Sequence, residues 1–222
     1  MSRQSIFSNT IHLRDFVDNV TDDPSRQNTP NYVKIQAEIN IFEEDGFYSF
    51  AIDVEPIRAR IHAYLTRENR SLYVPNTFFY ADGCFSATPS ADGALEIRVQ
   101  VLSSSNLSRH PGVPSDFDEY RRHLPEQWCP MVAVIGSVSP RSDNPSDPSE
   151  PRRFTLETSV YDTTKAAPVP FWVACFLQNT KRWEKVKIPV AGDLLSITAK
   201  VADRTTDTNQ LALRVLNLAY LP

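Results

Sequence analysis

The side chains best suited to chemistry crowd into Trp172–Lys187. In Phe171-Trp172-Val173-Ala174-Cys175-Phe176-Leu177, the two-residue period of a strand puts Phe171, Val173, Cys175 and Leu177 in a core and turns Trp172 and Phe176 to the other face. The segment that follows, Lys181-Arg182-Trp183-Glu184-Lys185-Val186-Lys187, sets four cations around another tryptophan. Flat rings stack on unpaired bases while cations neutralise phosphates, each stacked base contributing about 1–3 kcal/mol. The same rings have a structural use: Trp172 and Phe176 could pack against a helix or another domain, and Trp183 could plug a barrel. Arg152 and Arg153 could be phosphate contacts or a solvated strand start. Arg98 and Arg214 could line a groove or cover apolar surface with their stems.

Other chemistries find little support. Six glycines against seventeen prolines, with neither G-x-G-x-x-G nor G-x-x-x-x-G-K-[ST], argue against the common nucleotide-dependent enzymes. There is no G-x-S-x-G and no H-E-x-x-H, and Glu43-Glu44-Asp45 reads as a solvated turn. His12, His62, His110 and His123 lack metal-ligand spacing, and Cys84, Cys129 and Cys175 form no C-x-x-C pair. The expectation is a binding protein without catalysis, cofactor or metal. The first residues contain no apolar signal region, and no run approaches the roughly eighteen apolar residues of a membrane helix, which points to a soluble protein with no membrane partner. The net charge of −4 hides a division: residues 29–107 hold 6 basic and 10 acidic residues, whereas 151–222 hold 10 basic and 6 acidic.

Alternating apolar and polar residues define the elements that must position these side chains. In the first half, runs at Val33–Ile41, Tyr48–Val54, Ala59–Leu65, Phe79–Phe85 and Leu95–Val101 read as five strands, the first two joined by the Glu44-Asp45-Gly46 turn. The second half gives five more, at Met131–Val138, Phe154–Tyr161, Phe171–Leu177, Leu194–Val201 and Leu211–Tyr220. Ser115–Leu124 predicts a short helix with a serine cap and Phe117, Tyr120 and Leu124 on one face. Leu13, Phe16, Val17 and Val20 fit a helix over 11–20, and the proline-rich 139–151 a long loop. The halves echo each other: Leu95, Ile97, Arg98 and Val99 fall opposite Leu211, Leu213, Arg214 and Val215, 116 residues later. Aligning Ala63-Tyr64-Leu65 with Cys175-Phe176-Leu177 makes Arg60 and Tyr64 the counterparts of Trp172 and Phe176.

The fold class expected is all-β: two five-stranded Greek-key OB-fold barrels, an acidic one at 29–107 and a basic one at 128–222, joined by a linker helix within 108–127 and preceded by an extension over 1–28. The second half resembles the OB domains of replication protein A and similar single-strand-binding proteins. Its first strand ends near Gly136, and a Gly192-Asp193 step leads into a strand ending at Lys200; the first half has Asn76-Thr77-Phe78 where Gly-Asp would stand. The resemblance implies single-stranded nucleic acid as partner, DNA ahead of RNA, crossing the second and third strands between neighbouring loops. It also implies an intracellular protein, nuclear in a eukaryote. The expected contacts are Arg60, Tyr64, Arg152, Arg153, Trp172, Phe176, Lys181, Arg182, Trp183, Lys185, Lys187 and Arg214. Two alternatives remain: a protein-interaction adaptor in a nucleic-acid-processing assembly, with protein partners on the acidic first barrel, and a structural jelly roll or β-sandwich.

Overall fold

Alternating burial marks much of the strand structure in the computed structural model, which describes residues 5–16, 25, 31–39, 56–101, 107–122, 124, 130–140, 151–163 and 165–222. The strands are β1 (Ser5–Phe16), β2 (Asn31–Ile39), β3 (Ile57–Leu65), β4 (Phe78–Pro89), β5 (Leu95–Val101), β6 (Leu107–Arg109), β7 (Met131–Val138), β8 (Arg152–Asp162), β9 (Ala167–Leu177), β10 (Leu194–Arg204) and β11 (Leu211–Tyr220). The helices are short: α1 (Arg67–Arg70), α2 (Phe117–Arg122) and α3 (Lys181–Glu184). None is long and apolar enough to cross a membrane.

Hydrogen bonding closes β1–β2–β3–β5–β4 back onto β1 in a ring of five strands, with β3 and β5 parallel and the other pairs antiparallel. This all-β, closed five-stranded barrel is consistent with an OB-fold. Pairings in the second half run in the same order, β7–β8–β9–β11–β10 and back to β7, with β9 and β11 the parallel pair. The two rings meet where Ser5–Ser8 of β1 pair antiparallel with Val134–Met131 of β7. One apolar cluster runs through both, and Phe85 meets Phe171 across the junction with ring centroids 5.5 Å apart.

The expected helix over 11–20 is corrected over its described part, 11–16, since Ser5–Phe16 is a strand, the first of its ring; 17–20 lie outside the described residues. Phe7, Asn9, Ile11 and Leu13 are buried at a two-residue period, and Ile6–His12 pair residue for residue with Cys84–Phe78 of β4. Tertiary pairing thereby decides a segment whose Leu13 and Phe16 also fit a helical stripe. The expected strand at 48–54 lies outside the described residues, as does most of the loop over 139–151. The linking helix forms, but its cap is Asp116 and not Ser115: Asp116 Oδ1 accepts the Glu119 amide hydrogen at 3.2 Å. Tyr120 and Leu124 pack on Phe78, so α2 docks on the first ring.

Two turns show why the rings close alike. Gly192, at φ 93°, precedes Asp193 and β10; its amide donates to the Val138 carbonyl, and the Val138 amide donates to the Asp193 carbonyl. In the first ring Asn76, at φ 67°, precedes Thr77 and β4; its amide donates to Leu13, and the Leu13 amide donates to Thr77. Asparagine tolerates the left-handed conformation best after glycine, so Asn76-Thr77-Phe78 does the work of Gly192-Asp193-Leu194, again 116 residues on. Gly136 has a different reason for its size: a Cβ there would lie 2.5 Å from the Glu157 carbonyl oxygen of β8.

Candidate nucleic-acid interface

The outward face of β8 and β9 pairs Arg153 with Phe176, Thr155 with Ala174, Glu157 with Trp172, Ser159 with Pro170 and Tyr161 with Pro168. Trp172 is 44% exposed and Tyr161 57%, so two aromatic rings stand on one face, roughly 13 Å apart along the strands at about 3.3 Å per residue. Tyr161 is not among the contacts expected from the sequence, although strand parity from the buried Phe154 turns it outward.

Two expected platform residues are corrected. Phe176 does face away from the main core, but it keeps only 7% exposure, packed with Ala174 and Ala212 in a second apolar cluster. Trp183 is 6% exposed and belongs to the main core: it is the plug, not a stacking surface. Its burial follows from α3, a single turn after Thr180 that folds the ring inward. Arg152 secures this plug, donating to the carbonyls of Val186 at 2.7 Å and of Trp183, which commits its guanidinium to structure.

The plug leaves its neighbours outside. Lys181, Arg182, Lys185 and Lys187 are all exposed, with the Arg182 guanidinium over the Trp183 ring at 5.0 Å from its centroid. Arg152, Asn179, Thr180, Lys181 and Glu184 line a surface depression of about 440 Å³. Arg153 points from β8 to Asp207 of the β10–β11 turn, 2.9 Å away, and half-buried Arg214 lies opposite Phe176 on β11.

The corresponding face of the first ring is built differently. Arg60 lies opposite Arg98 in the β3–β5 pairing, and both hydrogen-bond to buried Glu96, at 2.9 and 2.7 Å. Because Phe176 lies opposite Arg214, equating Arg98 with Arg214 makes Phe176 the counterpart of Arg60 (176 − 60 = 116) and not of Tyr64 (176 − 64 = 112). The sequence alignment of β3 with β9 was thus four residues out of step with the pairing register. Tyr64 is 59% exposed and meets Tyr32 edge-on, with centroids 4.8 Å apart.

Between this pair and the arginines lies His62, 6% exposed, its Nδ1 3.4 Å from the Tyr32 hydroxyl. Burial, then repulsion from Lys34, Arg60 and Arg98, pushes its pKa down to about 4, against the attraction of Asp162. The second ring reaches this surface twice: Thr163 lies 3.3 Å from the Tyr32 hydroxyl and donates its amide to Gln100, and Asn209 donates to the Gly93 carbonyl at 2.8 Å.

No group of acids, histidines or cysteines suited to a metal occurs among the described residues. Burial raises the thiol of Cys175 far above its ordinary range, which removes it as a nucleophile.

No protein-family model matches the chain, and no curated protein matches it. Among solved structures, the wild-type single-stranded DNA binding protein from Thermus aquaticus is similar at 13% identity and a TM-score of 0.52, over 99% of this chain and 93% of that one. A deletion mutant of the same protein gives 12% identity and a TM-score of 0.53, covering 99% and 94%. At such identities the likeness is one of fold, and it extends over the whole chain.

Proposed function

We propose that this chain binds single-stranded nucleic acid, DNA ahead of RNA, through a tandem pair of OB barrels, and that it acts by binding alone. The observation that carries the reading is exposed Trp172 on the outer face of β8–β9, with Tyr161 further along the same face and the unburied cations of the α3 segment on the same ring. A fold shared along its length with proteins named for single-stranded DNA binding supports the choice of ligand. Trp172 and Tyr161 stack on bases, while Lys181, Arg182, Lys185 and Lys187 neutralise phosphates. Matching turns at Asn76 and Gly192 support a duplicated barrel, and the Gly192-Asp193 step supports the finer likeness to replication protein A; an intracellular site of action, nuclear in a eukaryote, is proposed from that likeness alone.

For the first ring a protein partner is the second reading. Its face arginines are already engaged by carboxylates, Arg60 and Arg98 sharing Glu96 and Arg58 paired with Asp92, which leaves exposed Tyr64 as its most available group.

Fluorescence anisotropy of a labelled oligo(dT), titrated with full-length protein over a range of salt, tests the main reading. Four phosphate contacts predict a log–log slope of about −3 and much weaker binding to blunt duplex. No binding at low salt, or equal affinity for duplex, would overturn it.

A further inference from the structure

Arg153 is a cation on the stacking face: it sits on β8 four residues from Glu157, which lies opposite Trp172, and is level with Arg214 of β11 across Phe176. It is already bound to a carboxylate, Asp207 Oδ2, at 2.9 Å. That carboxylate is held in place by its own turn. The Asn209 amide donates to the Thr205 carbonyl, the Gln210 amide donates to Thr205 Oγ1, and Thr205 Oγ1 lies 2.8 Å from Thr208 Oγ1. The Thr208 hydroxyl in turn donates to Asp207 Oδ1, and Asn209 ties the turn to Gly93 of the first ring. Both members of the ion pair reach solvent, with 28% of the Arg153 side chain and 45% of Asp207 exposed, so a phosphate oxygen can approach the guanidinium in the carboxylate's place.

We propose that Asp207 is a built-in competitor for phosphate at Arg153, so that the β10–β11 turn limits how tightly the face of the second ring holds a single strand. A carboxylate and a phosphate both accept charge-assisted hydrogen bonds from a guanidinium, and a phosphate oxygen that takes the Nη2 hydrogen now donated to Asp207 Oδ2 must displace that carboxylate. Strand binding therefore displaces Asp207, and the displaced carboxylate then repels the phosphate that replaced it. The pair differs in this from Arg152, whose partners are backbone carbonyls beneath the plug. The inference rests on the reading of this face as a single-strand site.

The test is anisotropy with labelled oligo(dT) on four full-length proteins: wild type, Asp207→Asn, Arg153→Ala and the double variant, with melting temperatures taken on the same samples. Asp207→Asn should bind roughly two- to fivefold more tightly than wild type and melt within a few degrees of it, because the ion pair is exposed. In the Arg153→Ala background the same substitution should bring no gain, since the group competed for is gone. Wild-type binding without a gain in Asp207→Asn overturns the inference alone, as does an equal gain in both backgrounds, which would make Asp207 a distant repulsive charge. Absence of binding in wild type and Asp207→Asn alike overturns the single-strand reading, and this inference with it.

Discussion

In the first ring, Glu96 holds Arg60 at 2.9 Å and Arg98 at 2.7 Å within a closed ionic cluster; in the second, Lys181, Lys185 and Lys187 stand exposed with no ion pair among the described residues. Yet the strand order is shared, and so are the backbone hydrogen bonds of the turn before the fourth ring strand. The loops after β3 and β9 also each contribute a buried aromatic side chain: Tyr73, whose hydroxyl donates to the Leu107 carbonyl, and Trp183, whose own carbonyl receives Arg152. Inward positions and turn conformations are constrained by closure, whereas outward positions are free to change their chemistry. The acidity of the first half is itself local. Five of its ten acids, Glu43, Glu44, Asp45, Asp53 and Glu55, fall within 40–55, a stretch without a basic residue.

If the aromatic plugs play equivalent parts, removing the larger one should do most damage. Trp183→Ala should cost about 3–5 kcal/mol of stability in chemical denaturation, with the folded fraction still binding oligo(dT). A loss below 1 kcal/mol would show that the ring is not a plug.

The seam between the rings should be sensitive to acid. His62 is held neutral, so its contribution is complete above its unfolded pKa near 6.5 and is lost as pH falls toward about 4, where the unfolded chain binds the extra proton. The loss should approach about 3 kcal/mol, and His62→Gln should flatten this part of the stability–pH curve. An unchanged curve in the variant would remove His62 as its cause.

The smallest effect concerns the matched turns. Asn76→Ala forces a Cβ-bearing residue without a compensating polar side chain into φ 67° and should cost on the order of 1 kcal/mol in thermal melts, whereas Asn76→Gly should be close to neutral. Equal losses in both would mean that the asparagine side chain matters and that the likeness to Gly192 is superficial.

Strands were most legible where burial alternates over a local run, as in β2, β7, β8 and β10. β1 escaped because its buried face includes Ser5 and Asn9, and Ser5 finds its partner in Thr158, 153 residues away. Parity correctly turned Trp172 and Phe176 from the main core, but facing outward is not the same as exposure. Ala174 and Ala212 flank Phe176 in a second apolar layer that no single-strand pattern reveals. Trp183 had no periodicity to place it, since α3 is one turn long. The basic character of Lys181–Lys187 could be read directly, whereas the pairing of Arg153 with Asp207 depends on a turn 54 residues downstream.

The central claim is that exposed Trp172 on the second ring stacks on unpaired bases. It is tested most directly by measuring oligo(dT) affinity and melting temperature on the same sample of full-length Trp172→Ala. Binding should weaken by on the order of 1–3 kcal/mol with the melting temperature nearly unchanged, because the ring is 44% exposed and covers little of the core. Unchanged affinity in a stably folded variant, or a collapse of stability with normal binding by the folded remainder, would contradict that claim.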